Sequence, residues 1–231
     1  MGRVGHRRVD IGTSMGSRGG DKEAYLQHSA KTLALFAEGS ELWGGGPSAV
    51  ACLHDTAARL AGKPVVGAFE LDDDGVRRGY GPAIVRCYHE GGGHGPHLDS
   101  LARDRAVLSA GGKSHRATDY TIGRFERQLS AVLCLQASDP PPEDASARSG
   151  EAVLHRFQPA PDDTTAVKEF HTNGAAEGVE SAAVALGPGD FYLFCSEFVH
   201  EVPFVAGQTP RVVLASFLGV SDAEPTLFAW A

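Results

Sequence analysis

The stretch Gly91-Gly92-Gly93-His94-Gly95-Pro96-His97-Leu98-Asp99-Ser100 decides how the rest of this chain is read. Its glycines permit close backbone approach, and behind them stands the pair His97-x-Asp99. In an extended segment residues two apart project to one face, so His97 and Asp99 would point the same way and Leu98 away. A third donor, His200, follows far downstream in Glu197-Phe198-Val199-His200-Glu201-Val202. Two imidazoles and one carboxylate can occupy one face of an iron(II) ion and leave three positions open; zinc takes the same donors and keeps one position for water. An H-x-D spacing also arises by chance, so a structural or solvated His97 is the competing reading.

The bulk properties narrow the setting. At 231 residues the chain can bury one sizeable core, which makes a single domain the default. A net charge of -8 argues against nucleic acid and anionic membranes as partners, since both call for a basic patch. No apolar run is long enough for a membrane span. The opening residues are rich in Arg and Gly and lack the apolar core of a secretory signal, so the cytoplasm is the expected location. Cys52, Cys87, Cys134 and Cys195 are far apart with no C-x-x-C pair, which reads as reduced thiols acting as small hydrophobes.

Along the chain, residues 1–20 are polar and aperiodic, predicting a mobile or loosely docked arm ahead of one domain over 21–231. Tyr25, Leu26, Leu33, Leu35 and Phe36 punctuate an amphipathic helix that stops at Gly39. After Gly44-Gly45-Gly46, Pro47-Ser48 opens a second helical stretch carrying Val50, Leu53, Ala57 and Leu60, ended by Gly62-Lys63-Pro64. Residues 21–62 therefore read as a helical buttress. From Val65 the texture is β: Val65–Leu71 and Val76–Tyr80 flank the turn Asp72-Asp73-Asp74-Gly75, read as solvated, and Pro82–Tyr88 follows. Residues 100–123 read as a long loop with room for a helical turn. Gln128–Gln136, Gly150–Phe157, Val179–Leu186, Phe191–Cys195, His200–Val205 and Arg211–Gly219 read as strands, with polar excursions at 139–148 and 158–178. Strands outnumber helices and no βαβ alternation occurs, which predicts an antiparallel sandwich or barrel preceded by two helices.

Arg211 opens the last of these strands, and alternation places it on one face with Val213, Ala215 and Phe217. An arginine among apolar residues needs an anion. That anion is either a bound carboxylate or an internal Asp or Glu. Arg86 competes with Arg211 as the carboxylate anchor.

Several segments, taken together, carry a family resemblance. Tyr88-His89-Glu90-Gly91 with Pro96-His97-Leu98-Asp99 resembles the Y-x-x-G…H-x-D segment of iron(II)/2-oxoglutarate-dependent oxygenases of the prolyl-hydroxylase-like type. The strand from Arg127 through Ser130 and Cys134 to Gln136 is similar to their R-x-x-T-x-x-x-Y-L-N strand. Ser149-Gly150-Glu151 resembles their G-G-E opening. Gly189-Asp190-Phe191-Tyr192-Leu193-Phe194 with His200-Glu201-Val202 resembles their G-D-x-x-x-F…H-x-V hairpin. These segments run in the family's order over residues 83 to 219.

The resemblance implies a mainly β double-stranded β-helix, a jelly-roll or cupin-like barrel over 65–219, with flanking helices. It implies Fe(II) held by His97, Asp99 and His200, and 2-oxoglutarate gripped by Arg211 with help from Tyr88 and Ser130. Cys134 and Gln136 depart from the usual Tyr and Asn, and the His200-to-Arg211 interval is one residue longer than the commonest one. Arg86, His94, Gln136 and Phe217 are candidates for a supporting or substrate-facing role. The implied reaction consumes O2 and 2-oxoglutarate, oxidises a C–H bond by hydroxylation or by desaturation, cyclisation or epimerisation, and releases succinate and CO2. Related halogenases replace the carboxylate ligand with Gly or Ala; Asp99 stands there, which disfavours halogenation.

Of the other histidines, His89 and His115 read as pocket-mouth residues and His6, His28 and His54 as solvated, while His155 sits on a strand with its facing open. Trp43 reads as part of the buttress. The excursions at 100–123, 137–149 and 158–178 are long for a compact domain and would shape an entrance. A small or medium organic substrate fits these features, as for a tailoring enzyme of specialised metabolism. Two alternatives stand: a non-oxidative cupin-like zinc or manganese isomerase or hydrolase, and a jelly-roll binding module without catalysis. A hydroxylase of protein side chains is a variant of the oxygenase reading. Oligomeric state is not written in the sequence.

Overall fold

In a computed structural model the described residues are 8–15, 21–109, 120–139, 150–163, 165–166, 169–170 and 178–231. Thirteen strands are present in this part of the chain: β1 Arg8–Ile11, β2 Val65–Gly67, β3 Phe69–Leu71, β4 Arg77–Gly79, β5 Ile84–Tyr88, β6 His94–His97, β7 Arg127–Gln136, β8 Ala152–His155, β9 Ser181–Val184, β10 Phe191–Cys195, β11 His200–Val202, β12 Arg211–Val220 and β13 Leu227–Trp230. The helices are α1 Lys22–Phe36, α2 Ala49–Ala61 and α3 Leu101–Ser109. The protein is mainly β, with few helices.

β12 (RVVLASFLGV) is the central strand, and its alternation explains the layering. One edge pairs antiparallel with β7 along its length; the other pairs first with β5 and then with β13. β1 extends this sheet beyond β5, β10 beyond β7, and β2 joins β13 in parallel. A smaller sheet runs in the order β6-β11-β8-β9. Leu214 and Leu218, on the outward face of β12, pack in a cluster with Phe36, Val50, Leu53 and Ala57 of the two helices. Val213, on the inward face, packs with Tyr88, Val132 and Val205. A residue pattern of period two thus separates a helix-covered face from a face turned toward the smaller sheet.

The helices begin where their caps dictate. The Asp21 carboxylate accepts from the Ala24 N–H and the Ser48 hydroxyl from the Val50 N–H, which satisfies first-turn donors. Ser48 also donates to the Phe36 carbonyl at 2.7 Å, tying the start of α2 to the end of α1. Trp43 stacks on Phe36 and donates to the same carbonyl.

Three expectations differ from this structure. Arg8–Ile11, inside the stretch read as a loose arm, forms β1 and pairs with β5 residue by residue, because the edge of β5 offers unpaired backbone groups. The remainder of that arm, residues 1–7 and 16–20, lies outside the described residues, as do His6, His115 and most of the excursions at 139–148 and 158–178. Residues 101–109, read as loop, form α3: the Ser100 hydroxyl accepts from the Arg103 N–H and caps its first turn. β13 was not expected at all; Trp230 and Leu227 are fully buried, so its short run is stabilised by tertiary packing. The Asp72–Asp74 turn behaves as read, with the Asp72 carboxylate accepting from the N–H groups of Asp74 and Val76.

Candidate metal centre

His97 ends β6 and His200 begins β11, and these two residues are partners across an antiparallel pair. The Nδ1 atom of each ring lies on a backbone carbonyl two residues earlier, His97 on Gly95 at 2.7 Å and His200 on Phe198 at 2.9 Å. Those contacts place a proton on Nδ1 and leave the Nε2 lone pairs facing inward, the tautomer a metal requires. Asp99 Oδ2 is 3.9 Å from His97 Nε2 and 3.8 Å from His200 Nε2. One donor atom from each of the three residues lies within 4.8 Å of the others, and among the described residues this is the one such group.

Strand alternation is not what brings Asp99 into place. β6 stops at His97, and Asp99 is held from the other side: its N–H donates to the Ser196 carbonyl at 2.9 Å, and the Ser196 hydroxyl donates back to the Asp99 carbonyl at 2.9 Å. Ser196 is wholly buried, also bonded to the Gln128 carbonyl, and lies in the link between β10 and β11. No reading of the sequence singled it out; a small polar residue just before a candidate ligand strand was the available signal. Gly93 does act through close approach: a Cβ there would meet the Val202 carbonyl oxygen at 2.7 Å.

Burial suppresses protonation throughout this group. It pushes His97 down to about 3 and His94 to about 4, and it lowers His200 as well; in His97 and His200 the Asp99 charge opposes it. The imidazoles are therefore neutral at physiological pH and available as ligands.

The triad opens on a cavity of about 600 Å³, counting its mouth, between the two sheets. Tyr88, Ser130, Arg211, Arg86, His94 and Phe217 all line it. His94 stacks on His97 with ring centroids 3.6 Å apart. Arg211, 6% exposed, lies 5.5 Å from the Tyr88 ring and lines the cavity together with Tyr192. Among the described residues it forms no ion pair, although Asp139 and Glu151 line a second pocket with it. Tyr192 was also missed as a lining residue, although it lies two before Phe194 on an inward-facing strand.

Gln136 does not reach the cavity. It lies beyond the β-bulge at Val212/Val213, and its amide donates to the Pro210 carbonyl at 2.8 Å. His155 lies on the face of β8 opposite the triad, bonded to Glu201 at 3.0 Å and packed edge-on against Phe170. His54, read as solvated, is largely enclosed beside Ser216, and burial pushes it down to about 4. His28 is half-buried against the Ala24 carbonyl. Of the cysteines, all free, only Cys134 is buried; Cys52 is exposed.

The fold is similar to that of a solved dioxygenase. Two crystal structures of an N-substituted L-amino acid dioxygenase from Burkholderia ambifaria AMMD carry the likeness. The one in complex with alpha-KG aligns with a TM-score of 0.54 at 16% identity, covering 96% of this chain and 77% of that one. The other aligns with a TM-score of 0.55 at 16% identity, covering 95% and 77%. At that identity the likeness is one of fold. No protein-family model and no curated protein sequence matches the chain.

Proposed function

We propose that this protein is an iron(II)/2-oxoglutarate-dependent oxygenase with a double-stranded β-helix core over residues 65–219, oxidising a C–H bond of a small or medium organic substrate and forming succinate and CO2. One observation carries the reading: Arg211, buried without an ion pair among the described residues, faces the same cavity as the His97, Asp99 and His200 donors. A guanidinium shut away from water needs an anion, and a dicarboxylate that chelates the metal at one end supplies one at the other.

The donor set fits the metal. Two neutral imidazoles with inward Nε2 atoms and one carboxylate match the ligands that iron(II) oxygenases use. When bound, iron would activate dioxygen, the oxidant, with 2-oxoglutarate supplying two of the four electrons for its reduction and the substrate C–H bond the other two. This chain's residues do the rest. His97, Asp99 and His200 hold the metal, while Ser196 keeps Asp99 turned toward it. Arg211 and the Tyr192 hydroxyl take the distal carboxylate, with Tyr88 and Ser130 alongside. Val132, Val213 and Phe194 keep the surroundings apolar, which strengthens those polar contacts. Asp99 in the carboxylate position favours hydroxylation-type chemistry over halide transfer.

A tailoring role in specialised metabolism and a cytoplasmic location belong to the same proposal. A fold neighbour acting on an amino-acid derivative supports a small-molecule substrate, and no helix among the described residues is long and apolar enough to cross a membrane. The test is succinate formation from 2-oxoglutarate under air with iron(II) and a panel of small organic acids, amines and amides. Succinate release stimulated by a member of the panel is expected. No turnover with any of them, together with another activity restored by zinc, would overturn the oxygenase reading.

A further inference from the structure

The cavity holds a second arginine that the metal and co-substrate leave without work. Arg86 projects from β5 one inward-facing step before Tyr88, and its register partner on β12 is Val213, whereas Tyr88 is the partner of Arg211. The two guanidiniums are therefore anchored on consecutive inward steps of adjacent strands, about 7 Å apart along the strand direction. The Arg86 guanidinium lies beside the Tyr88 phenol, as that of Arg211 lies beside the phenol of Tyr192. In each pair the guanidinium offers N–H donors and the phenol an O–H donor to the same part of the cavity. The lining thus presents two similar Arg–Tyr donor sets.

The Arg86 set is unsatisfied. Among the described residues Arg86 forms no ion pair, and its Nε is sealed from water without a hydrogen-bond partner. His94 Nδ1, lining the same cavity, is likewise buried and unpartnered. Asp10, across the β1–β5 pair from Arg86, is engaged with Arg8 at 3.1 Å. Among the described residues that line the cavity, Asp99 offsets one of the two arginines, which leaves a single positive charge. Iron(II) and doubly charged 2-oxoglutarate cancel each other, so their binding leaves that excess in place. A planar monoanion removes it, and the guanidinium fork matches a carboxylate.

We propose that Arg86 and Tyr88 form a second carboxylate receptor, and that the substrate of this oxygenase is a small organic monocarboxylate whose acid group docks there. The assignment rests on the oxygenase reading for the place of 2-oxoglutarate, and the test separates the two. Protein loaded with zinc(II) in place of iron is titrated with 2-oxoglutarate, then at saturation with matched acid and amide pairs: acetate and acetamide, 4-methylpentanoate and its amide, 3-phenylpropanoate and its amide. Acids should bind at least about tenfold tighter than their amides, the scale of one charge-assisted hydrogen bond.

Arg86→Gln should reduce that preference to about twofold or less, with 2-oxoglutarate affinity changed by less than about threefold; Arg211→Gln should do the reverse. Arg86→Lys, which disturbs packing less, should lower the preference partially. The inference is overturned if no acid binds, if wild-type protein does not distinguish acids from amides, or if Arg86→Gln weakens 2-oxoglutarate as much as Arg211→Gln does. The last outcome would place both arginines on one dicarboxylate. Absence of 2-oxoglutarate binding to metal-loaded wild-type protein would instead remove the oxygenase reading, with the acid-over-amide preference still measurable.

Discussion

His97 and His200 stand opposite each other on neighbouring antiparallel strands, with ring centroids 4.3 Å apart and each Nδ1 bonded to a backbone carbonyl. The backbone ladder, and not the metal, sets their spacing. Asp99 has a separate support in Ser196.

That support can be removed. Ser196→Ala deletes the hydroxyl bonded to the Asp99 and Gln128 carbonyls. Partners that orient a ligand are worth about 10- to 100-fold in metal affinity, so zinc or iron affinity should fall within that range while the fold persists. Asp99→Ala should cost at least the upper end and abolish oxygenase turnover. Metal titration with a competing chelator measures both, and full activity in Asp99→Ala would refute the ligand assignment.

Gly93 is a steric test of the same ladder. In Gly93→Ala the new methyl would press on the Val202 carbonyl oxygen at the end of β11. Either the β6–β11 pair opens or the loop shifts, and the two histidines separate. A stability loss of about 1–3 kcal/mol together with weaker metal binding is expected from denaturant titration and chelator competition.

Arg211→Gln addresses the co-substrate alone. The apparent KM for 2-oxoglutarate should rise at least about tenfold, as expected when a charge-assisted contact is lost, with metal affinity unchanged. Steady-state succinate assays at varied 2-oxoglutarate, paired with metal titration, separate this outcome from general damage.

Acid should destabilise the metal-free protein early. Burial holds His97 at about 3 and His94 and His54 at about 4, below the value of 6.5 in the unfolded chain. Between those values the unfolded chain binds protons that the folded chain refuses, so the stability contribution is complete above 6.5 and is lost as pH falls toward 4 and 3. Each histidine adds up to about 1.4 kcal/mol per pH unit. Denaturant midpoints from about pH 7.5 to about pH 5 should show the decline, and His54→Gln, remote from the ligands, should flatten part of the slope.

Glu70 holds the helical side of the protein to its β core. Its buried carboxylate accepts from the Tyr80 hydroxyl, the Thr121 N–H and hydroxyl, and the Lys22 ammonium. Burial pushes its pKa up, but these donors outweigh it and hold the group below the usual range. Glu70→Ala removes the acceptor of the buried Tyr80 hydroxyl and of the Thr121 N–H and hydroxyl and should cost about 3 kcal/mol or more, read by thermal or chemical unfolding, with zinc affinity at the triad retained.

Much of the site was legible in one dimension because chemistry-bearing residue types stand in a recognisable order: glycines, His97-x-Asp99, an inward-facing strand, His200, Arg211. The helix starts at Asp21 and Ser48 were legible for the same reason, since capping is local. β1 and β13 were not, because neither carries enough pattern of its own; each exists through a partner strand and, for Trp230, through burial. α3 had a capping serine that its polar composition obscured. Gln136 was misplaced because a bulge, invisible in sequence, shifts the register of β7 against β12 just before it.

The sequence by itself determined the residue types at the centre, the alternation that faces Arg211 and Val213 inward, and the order in which the strands appear, since all of these are properties of neighbours along the chain. Tertiary structure decided which of those residues meet. Asp99 reaches the histidines through Ser196 instead of through strand alternation, and Arg86 joins Arg211 in one cavity because β5 and β12 pair in a particular register. Backbone hydrogen bonds between distant segments set such distances, and no local pattern encodes them.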